Sequence, residues 1–227
     1  MTTIEIDVIS DFVCSWCYVG KKQLDRAIAL YQKVYPNGKD DKFIIRYRPY
    51  FLQYNQDGPS VDKEVLAEKR LAGMSQEKRK ALTRRMNQIG ESVGIKFSWK
   101  GKIGPTMDAH RLMHLVREQS ATTQEAIVED IFRAYHVQER DISSKEVLAG
   151  IAAEHGLRRD EVKDWLSSHE AKDDVVQEAN HYRDIRSKTG VPAYIVQGIH
   201  RLEGSQDSQD FLELFIRVKE EEKKVTA

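Results

Sequence analysis

Ile4-Glu5-Ile6-Asp7-Val8-Ile9-Ser10-Asp11-Phe12-Val13-Cys14-Ser15-Trp16-Cys17-Tyr18 changes its hydrophobic period around a pair of cysteines. Ile4, Ile6 and Val8 alternate with Glu5 and Asp7, which predicts a short strand. From Tyr18 the apolar spacing becomes helical, with Leu24, Ile28 and Tyr31 on one face. That predicts a helix to about Val34, ending before the loop signal Pro36-Asn37-Gly38. Cys14 and Cys17 are the chain's only cysteines, and the C-x-x-C spacing lets two sulfurs meet across one helical turn. The first cysteine falls at the helix N-terminus, where unpaired N–H groups and the dipole favour a thiolate. A thiolate is the nucleophile of thiol–disulfide exchange.

Duller readings are weaker. Half of a zinc site needs a second ligand pair, and no further cysteines exist. His110 and His114 lie at i, i+4 on a predicted helix, but Arg111 stands where a metalloprotease helix has glutamate. A permanent disulfide between such near neighbours would constrain little chain entropy.

Of 227 residues, 40% are hydrophobic and 32% charged, with 36 basic and 36 acidic side chains. The length allows one domain with an insertion, or two domains. Zero net charge gives no steering toward nucleic acid or an anionic membrane, and the apolar runs are too short to span a bilayer. A strand beginning so near Met1 leaves no space for a secretory signal, and only two cysteines are present. The expected compartment is therefore the reducing cytoplasm.

Phe43 to Phe51 is rich in β-formers, so the opening reads β-α-β, a parallel pair with a right-handed crossover. From Ser60 to Lys188 nearly everything reads as helix. Leu82, Met86, Ile89 and Val93 form a stripe ended by Gly94, and Ala109, Leu112, Met113 and Val116 form another. Thr122-x-x-Glu125 and Ser143-x-x-Glu146 carry the capping-box pattern. Val162, Trp165 and Leu166 mark a short helix, and Val175, Ala179, Tyr182 and Ile185 a longer one. Such stripes predict plain core packing, and Trp99 and Trp165 are expected to pack rather than to bind ligand. After Gly190 the chain returns to strand at Pro192 to Val196, turns at Gln197-Gly198, and pairs back from Ile199 to Leu202. Phe211, Leu214, Phe215 and Val218 define a last helix, with Glu220 to Lys224 as a frayed end. The expected fold is α/β: a thioredoxin core (β-α-β … β-β-α) formed by residues 1–59 and 189–227, with a helical domain inserted at 60–188.

Such a core requires a proline facing the cysteines, with its preceding peptide group open to a substrate. Gly190-Val191-Pro192 lies at the entry to the third strand, so Val191–Pro192 is expected to be cis and to pack against Cys14 and Trp16.

The chain resembles the DsbA-like oxidoreductases of the FrnE subfamily. Four stretches carry the resemblance: Asp11 to Lys21; Pro105-Thr106-Met107-Asp108-Ala109-His110-Arg111-Leu112; Phe132-Arg133-Ala134-Tyr135 on to Asp141-Ile142-Ser143; and Gly190 to Tyr194 with Gly204-Ser205-Gln206. It implies a protein disulfide oxidoreductase with Cys14 and Cys17 as the redox pair. Ser15, Trp16, Val191, Pro192, Ser205 and Gln206 are implied around the substrate. It implies no metal and no resident cofactor, with glutathione open as a co-substrate. The partners are protein or small-molecule thiols and disulfides, and a homodimer stays open. Ser15 replaces the proline common after the first cysteine, and no histidine stands between the cysteines to depress the thiol pKa. A redox potential therefore does not follow.

Two rival functions share the fold. Kappa-class glutathione transferases and 2-hydroxychromene-2-carboxylate isomerases generally use serine where Cys14 stands. They hold glutathione with the loop matching Gly204-Ser205-Gln206, which alternatively is a turn and N-cap. A polypeptide-binding chaperone would use a helical groove and keep only a residual redox site. His110 and Asp108 are expected to orient their helix rather than to act in catalysis.

Overall fold

The computed structural model describes residues 1–185 and 190–226. Strand β1 (Thr3–Ser10) leads into helix α1 (Ser15–Val34), and β2 (Lys42–Pro49) returns parallel to β1, with Thr3 opposite Lys42 and Ser10 opposite Pro49. A two-residue strand β3 (Val61–Asp62) opens α2 (Lys63–Arg70) and α3 (Gln76–Ser92), and β3 pairs with β4 (Lys102–Ile103). Then follow α4 (Met107–Leu115), α5 (Ala121–His136), α6 (Lys145–Glu154), α7 (Arg159–Ser167) and α8 (Lys172–Ile185). The chain closes with β5 (Ala193–Val196), β6 (His200–Glu203) and α9 (Ser208–Thr226). The main sheet runs β2-β1-β5-β6, with β5 antiparallel to β1 and β6 antiparallel to β5. This is the expected α/β thioredoxin arrangement. Residues 188 and 189, where the two expected segments join, lie outside the described residues.

β1 is an inner strand, so Ile4, Ile6, Val8 and Ile9 are all buried. α1 covers the sheet with Leu24, Ala27 and Tyr31, and α9 adds Phe211, Phe215 and Val218 to the same core. A second core joins Phe12, Val13 and the cysteines to Leu112, Ile127, Ile131, Phe132 and Leu148 of the helices. Between α1 and α5 lies a charged seam. Lys21, 5% exposed at its side chain, sits 2.7 Å from Asp25, 3.4 Å from Glu125 and 3.6 Å from Glu129. Tyr18 Oη donates to Glu129 at 2.7 Å and Tyr47 Oη to Glu125 at 3.1 Å. A buried lysine is kept only where acceptors surround it.

Several local expectations are corrected. α1 starts at Ser15, three residues before Tyr18, because the turn at Asp11 to Cys14 already hydrogen-bonds Cys14 N to Asp11 O. Thr122 does not cap α5. Ser120 does, accepting from Thr123 N at 3.1 Å, which leaves Glu125 free for the seam. Ser143 likewise turns back to Asp141, at 2.6 Å, instead of opening α6. α9 does not fray at Glu220: its backbone stays helical to Thr226, anchored by buried Val218 and Lys219.

Candidate active site

Cys14 is the N-cap of α1, with φ −86° and ψ 112°. Its carbonyl accepts from Cys17 N (3.0 Å) and Tyr18 N (3.3 Å), so the two cysteines sit one turn apart with the first at the open end. The loop before it is fixed from three sides. Asp11, fully buried, accepts from Leu52 N at 2.7 Å and lies 3.6 Å from His110 Nε2, which itself contacts Tyr50 O at 3.1 Å. Phe12 packs its ring 5.1 Å from His110 and 5.0 Å from Phe132. Phe12 O accepts from His136 Nε2 at 3.0 Å. His110 thus orients the loop behind the cysteines, and Asp108 pairs with Arg111 at 2.7 Å.

Both cysteines are free thiols, 8% and 3% exposed. Burial pushes the Cys17 thiol well up, and its contact with Cys14 adds to the shift. Cys17 therefore stays protonated at neutral pH. The Val191–Pro192 peptide is cis. Cys14 Sγ lies 3.7 Å from Val191 O, and Gly204 N donates to Pro192 O at 2.8 Å, which docks the loop after β6 onto the proline. Close approach of β5 to α1 depends on Gly20, where an added Cβ would lie 2.1 Å from Tyr194 Oη and 3.2 Å from Pro192 Cγ.

In front of Cys14 opens a cavity of about 520 Å³, lined by Val13, Cys14, Ser15 and Trp16, by the α2–α3 face, and by Trp99, Tyr135 and His136. Ser15 and Trp16 are in it, with Trp16 42% exposed. Val191, Pro192, Ser205 and Gln206 are not among its walls. Ser205 does not cap α9. Asp207 does, accepting from Gln209 N (2.8 Å) and Asp210 N (3.0 Å), while Gln206 Nε2 folds back to Glu203 O. Two packing expectations hold only in part. Met86 and Ile89 pack against the core and also line the cavity, whereas Leu82, 48% exposed, lines the cavity alone. Trp99 also lines it, its Nε1 held by Asn87 at 2.9 Å. Sequence reasoning assigned no part to Lys63, Arg70, Arg79 and Arg85, although Arg79 stands three residues before Leu82 on the same stripe.

Burial and the nearby Lys63 charge push His136 down to about 3, so it is neutral and donates from Nε2. Burial also lowers Lys63 to about 8, against Glu139 and Asp141, which pull it up.

A dithiol at a helix start, backed by a proline loop on a four-stranded mixed sheet, defines a thioredoxin-fold protein. Residues 5–216 match the DSBA-like thioredoxin domain, and the chain belongs to that family of thiol–disulfide oxidoreductases. YwbO of Bacillus subtilis is 23% identical over 199 residues, 86% of this chain and 87% of that protein. A protein described as a probable DsbA oxidoreductase from Streptomyces coelicolor superposes with TM-score 0.80 at 24% identity, over 94% of this chain and 89% of that one. The cytosolic disulfide reductase DsbM of Pseudomonas aeruginosa, solved with GSH, gives 0.60 at 18%, over 94% and 99%. A 2-hydroxychromene-2-carboxylate isomerase gives 0.67 at 13%, over 98% and 100%. These likenesses speak to the fold. No helix among the described residues is long and apolar enough to cross a membrane.

Proposed function

We propose that the protein exchanges disulfides through Cys14 and Cys17, with Cys14 as attacking sulfur and Cys17 as resolving thiol. The observation that carries this is the asymmetry of the pair. Cys14 lies at the open end of α1 on the cavity wall, whereas Cys17 lies one turn inside, its thiol held protonated by burial. Attack by the Cys14 thiolate on a substrate disulfide makes a mixed disulfide and releases one thiolate. Cys17 then gives up its proton and attacks Cys14 Sγ, releasing the second thiolate. The reverse sequence oxidises a dithiol, and the direction follows from the potential.

Val191 O lies 3.7 Å from Cys14 Sγ, and the main chain of a bound substrate would run along the Val191–Pro192 loop there, outside the cavity walls. Cys14→Ser abolishes turnover. Cys17→Ser accumulates a mixed disulfide, seen as added mass on the intact protein and removed by reductant. Faster alkylation of Cys17 than of Cys14 at neutral pH would reverse the assignment.

A second reading takes glutathione as co-substrate. Gly204 N bound to Pro192 O sets Ser205 and Gln206 beside the proline, on the loop that follows β6. Ser205→Ala then raises the KM for glutathione and leaves the Cys14 alkylation rate as it was. An unchanged KM removes this reading.

A further inference from the structure

The cavity in front of Cys14 has walls of one charge. Lys63, Arg70, Arg79 and Arg85 stand around apolar Leu66, Leu82, Met86 and Ile89, and no aspartate or glutamate lines the space. The whole chain balances 36 basic against 36 acidic residues, so composition does not account for this excess. Among the described residues none of these four cations forms an ion pair. Lys63 Nζ donates to Tyr135 O at 2.6 Å and sits 3.6 Å over the Tyr135 ring. The Arg70 guanidinium lies 3.9 Å over the Tyr54 ring, and Arg79 Nε donates to Met74 O at 3.0 Å. Glu139 and Asp141 act on Lys63 from outside the lining. These partners orient Lys63, Arg70 and Arg79 without neutralising them.

Unneutralised cations beside apolar walls concentrate anions, since a cleft of one sign with low-dielectric walls focuses its field. Arginine adds fork geometry that matches a carboxylate. The apolar side has its own meaning. Trp99 and Trp16 are both well exposed, at 38% and 42%, on the cavity wall beside its aliphatic side chains. Exposed tryptophans on a concave wall present flat area to a planar partner. About 520 Å³ is small-molecule size, within the range of roughly 300–1,000 Å³ usual for such sites.

We propose that the partner disulfide is a small anionic molecule with an aromatic body, seated between Trp99 and α3, its acid groups on Arg79 and Arg85 and its sulfur at Cys14. This rests on Cys14 being the attacking sulfur. The reaction moves two electrons from the protein dithiol to the substrate: the substrate S–S bond breaks, a Cys14–Cys17 bond forms, the Cys17 proton passes to solvent, and two thiolates leave with their acid groups.

The test uses reduced full-length protein and two aromatic disulfides of opposite character. 5,5′-Dithiobis(2-nitrobenzoate) carries two carboxylates, and 4,4′-dithiodipyridine is neutral at pH 7. The readout is the ratio of their rate constants, which cancels any change in the thiol itself. In the Arg79→Gln, Arg85→Gln double variant this ratio falls roughly tenfold. In the unmodified protein it falls with added salt. Trp99→Ala slows both probes severalfold. A ratio indifferent to both salt and the double substitution overturns the anionic assignment, and Trp99→Ala without effect overturns the aromatic one. A neutral peptide disulfide that outpaces the dianion gives the cavity to polypeptide and also overturns the proposal. Failure of every probe to react at Cys14 points instead at the redox reading on which the proposal stands.

Discussion

Gly20 and Tyr194 show what one missing atom does for the site. Tyr194 Oη is buried and makes no hydrogen bond among the described residues, yet it occupies the space where a Gly20 Cβ would be. Gly20→Ala therefore overpacks the contact and costs about 1–3 kcal/mol. Tyr194→Phe removes the clashing oxygen and an unsatisfied polar group together, and alone is close to neutral. In the Tyr194→Phe background the alanine regains its helix preference, about 1 kcal/mol over glycine, so most of the Gly20→Ala penalty vanishes. A double-mutant cycle from chemical denaturation should give a coupling of about 1 kcal/mol or more, and strict additivity would mean that the contact is absent. His136 supplies a second residue-scale test. Its proton affinity is pushed from 6.5 down to about 3 in the folded chain. Between those values the unfolded chain holds a proton that the folded chain does not, so stability is complete above about pH 6.5 and is lost as pH falls toward 3. The loss at pH 4 is on the order of 3 kcal/mol. His136→Gln keeps an N–H for Phe12 O but does not titrate. Its melting temperature should fall less between pH 7 and pH 4 than that of the parent, and parallel curves would refute the account.

At the scale of elements, Arg111 does more than its helix needs. Its guanidinium, on α4 and 2% exposed as a residue, donates to Leu166 O (2.9 Å), Trp165 O (3.2 Å), Ser168 O (3.1 Å) and Glu170 O (2.8 Å). It thereby satisfies the carbonyls at the C-terminal end of α7 and fixes the turn into α8. Arg111→Ala should cost about 3–5 kcal/mol by orphaning the Leu166, Ser168 and Glu170 carbonyls and Asp108, and Arg111→Lys should recover only a small part, because an ammonium cannot fork. Protease cutting at residues 167–171 would report the loosened turn, and an uncut variant of parental stability would contradict the role. Sequence patterns foresaw these helices but not this tie, and the difference has a physical cause. Periodicity records that a face is apolar and says nothing of what covers it. Leu82, Met86 and Ile89 therefore read as core, yet Leu82 lines a cavity, and Met86 and Ile89 share their surface between cavity and core. Thr122 and Ser143 carried the right spacing for caps, but Ser120 caps α5 instead, and Asp141 draws the Ser143 hydroxyl away from α6. The position of Cys14 at the start of α1 was legible because one strand, one turn and one helix fix it locally. The cations around the cavity were not, since Lys63 and Arg70 come from α2 and Arg79 and Arg85 from α3, and only tertiary packing brings them round one space.

For the whole molecule, the decisive fact is that the sheet is built from both ends of the sequence. β1 and β2 come from the first 49 residues, and β5 and β6 from residues after 190, with more than a hundred residues of mainly helical chain between. Closing such a loop costs entropy, so the two ends need contacts that reward their meeting. Asp41, fully buried, provides one beyond the strand ladder. It accepts from Thr2 N at 2.7 Å and Tyr31 Oη at 2.9 Å, and it pairs with Lys219 of α9. The N-terminal strand, α1 and the last helix are thus gathered on one carboxylate. Asp41→Ala leaves the Lys219 ammonium buried without its partner and should cost about 3–5 kcal/mol, close to a third of the stability of an ordinary domain. Asp41 precedes β2 where β2 meets the start of β1, whereas Cys14 follows the other end of β1, so the change falls far from the sulfur. Below its melting point the variant should therefore keep the parent's rate of Cys14 alkylation while unfolding at lower denaturant. If instead the thiol rate changes in step with stability, the two ends of the sheet are coupled, and the site depends on closure of the entire fold rather than on the turn that holds Cys14.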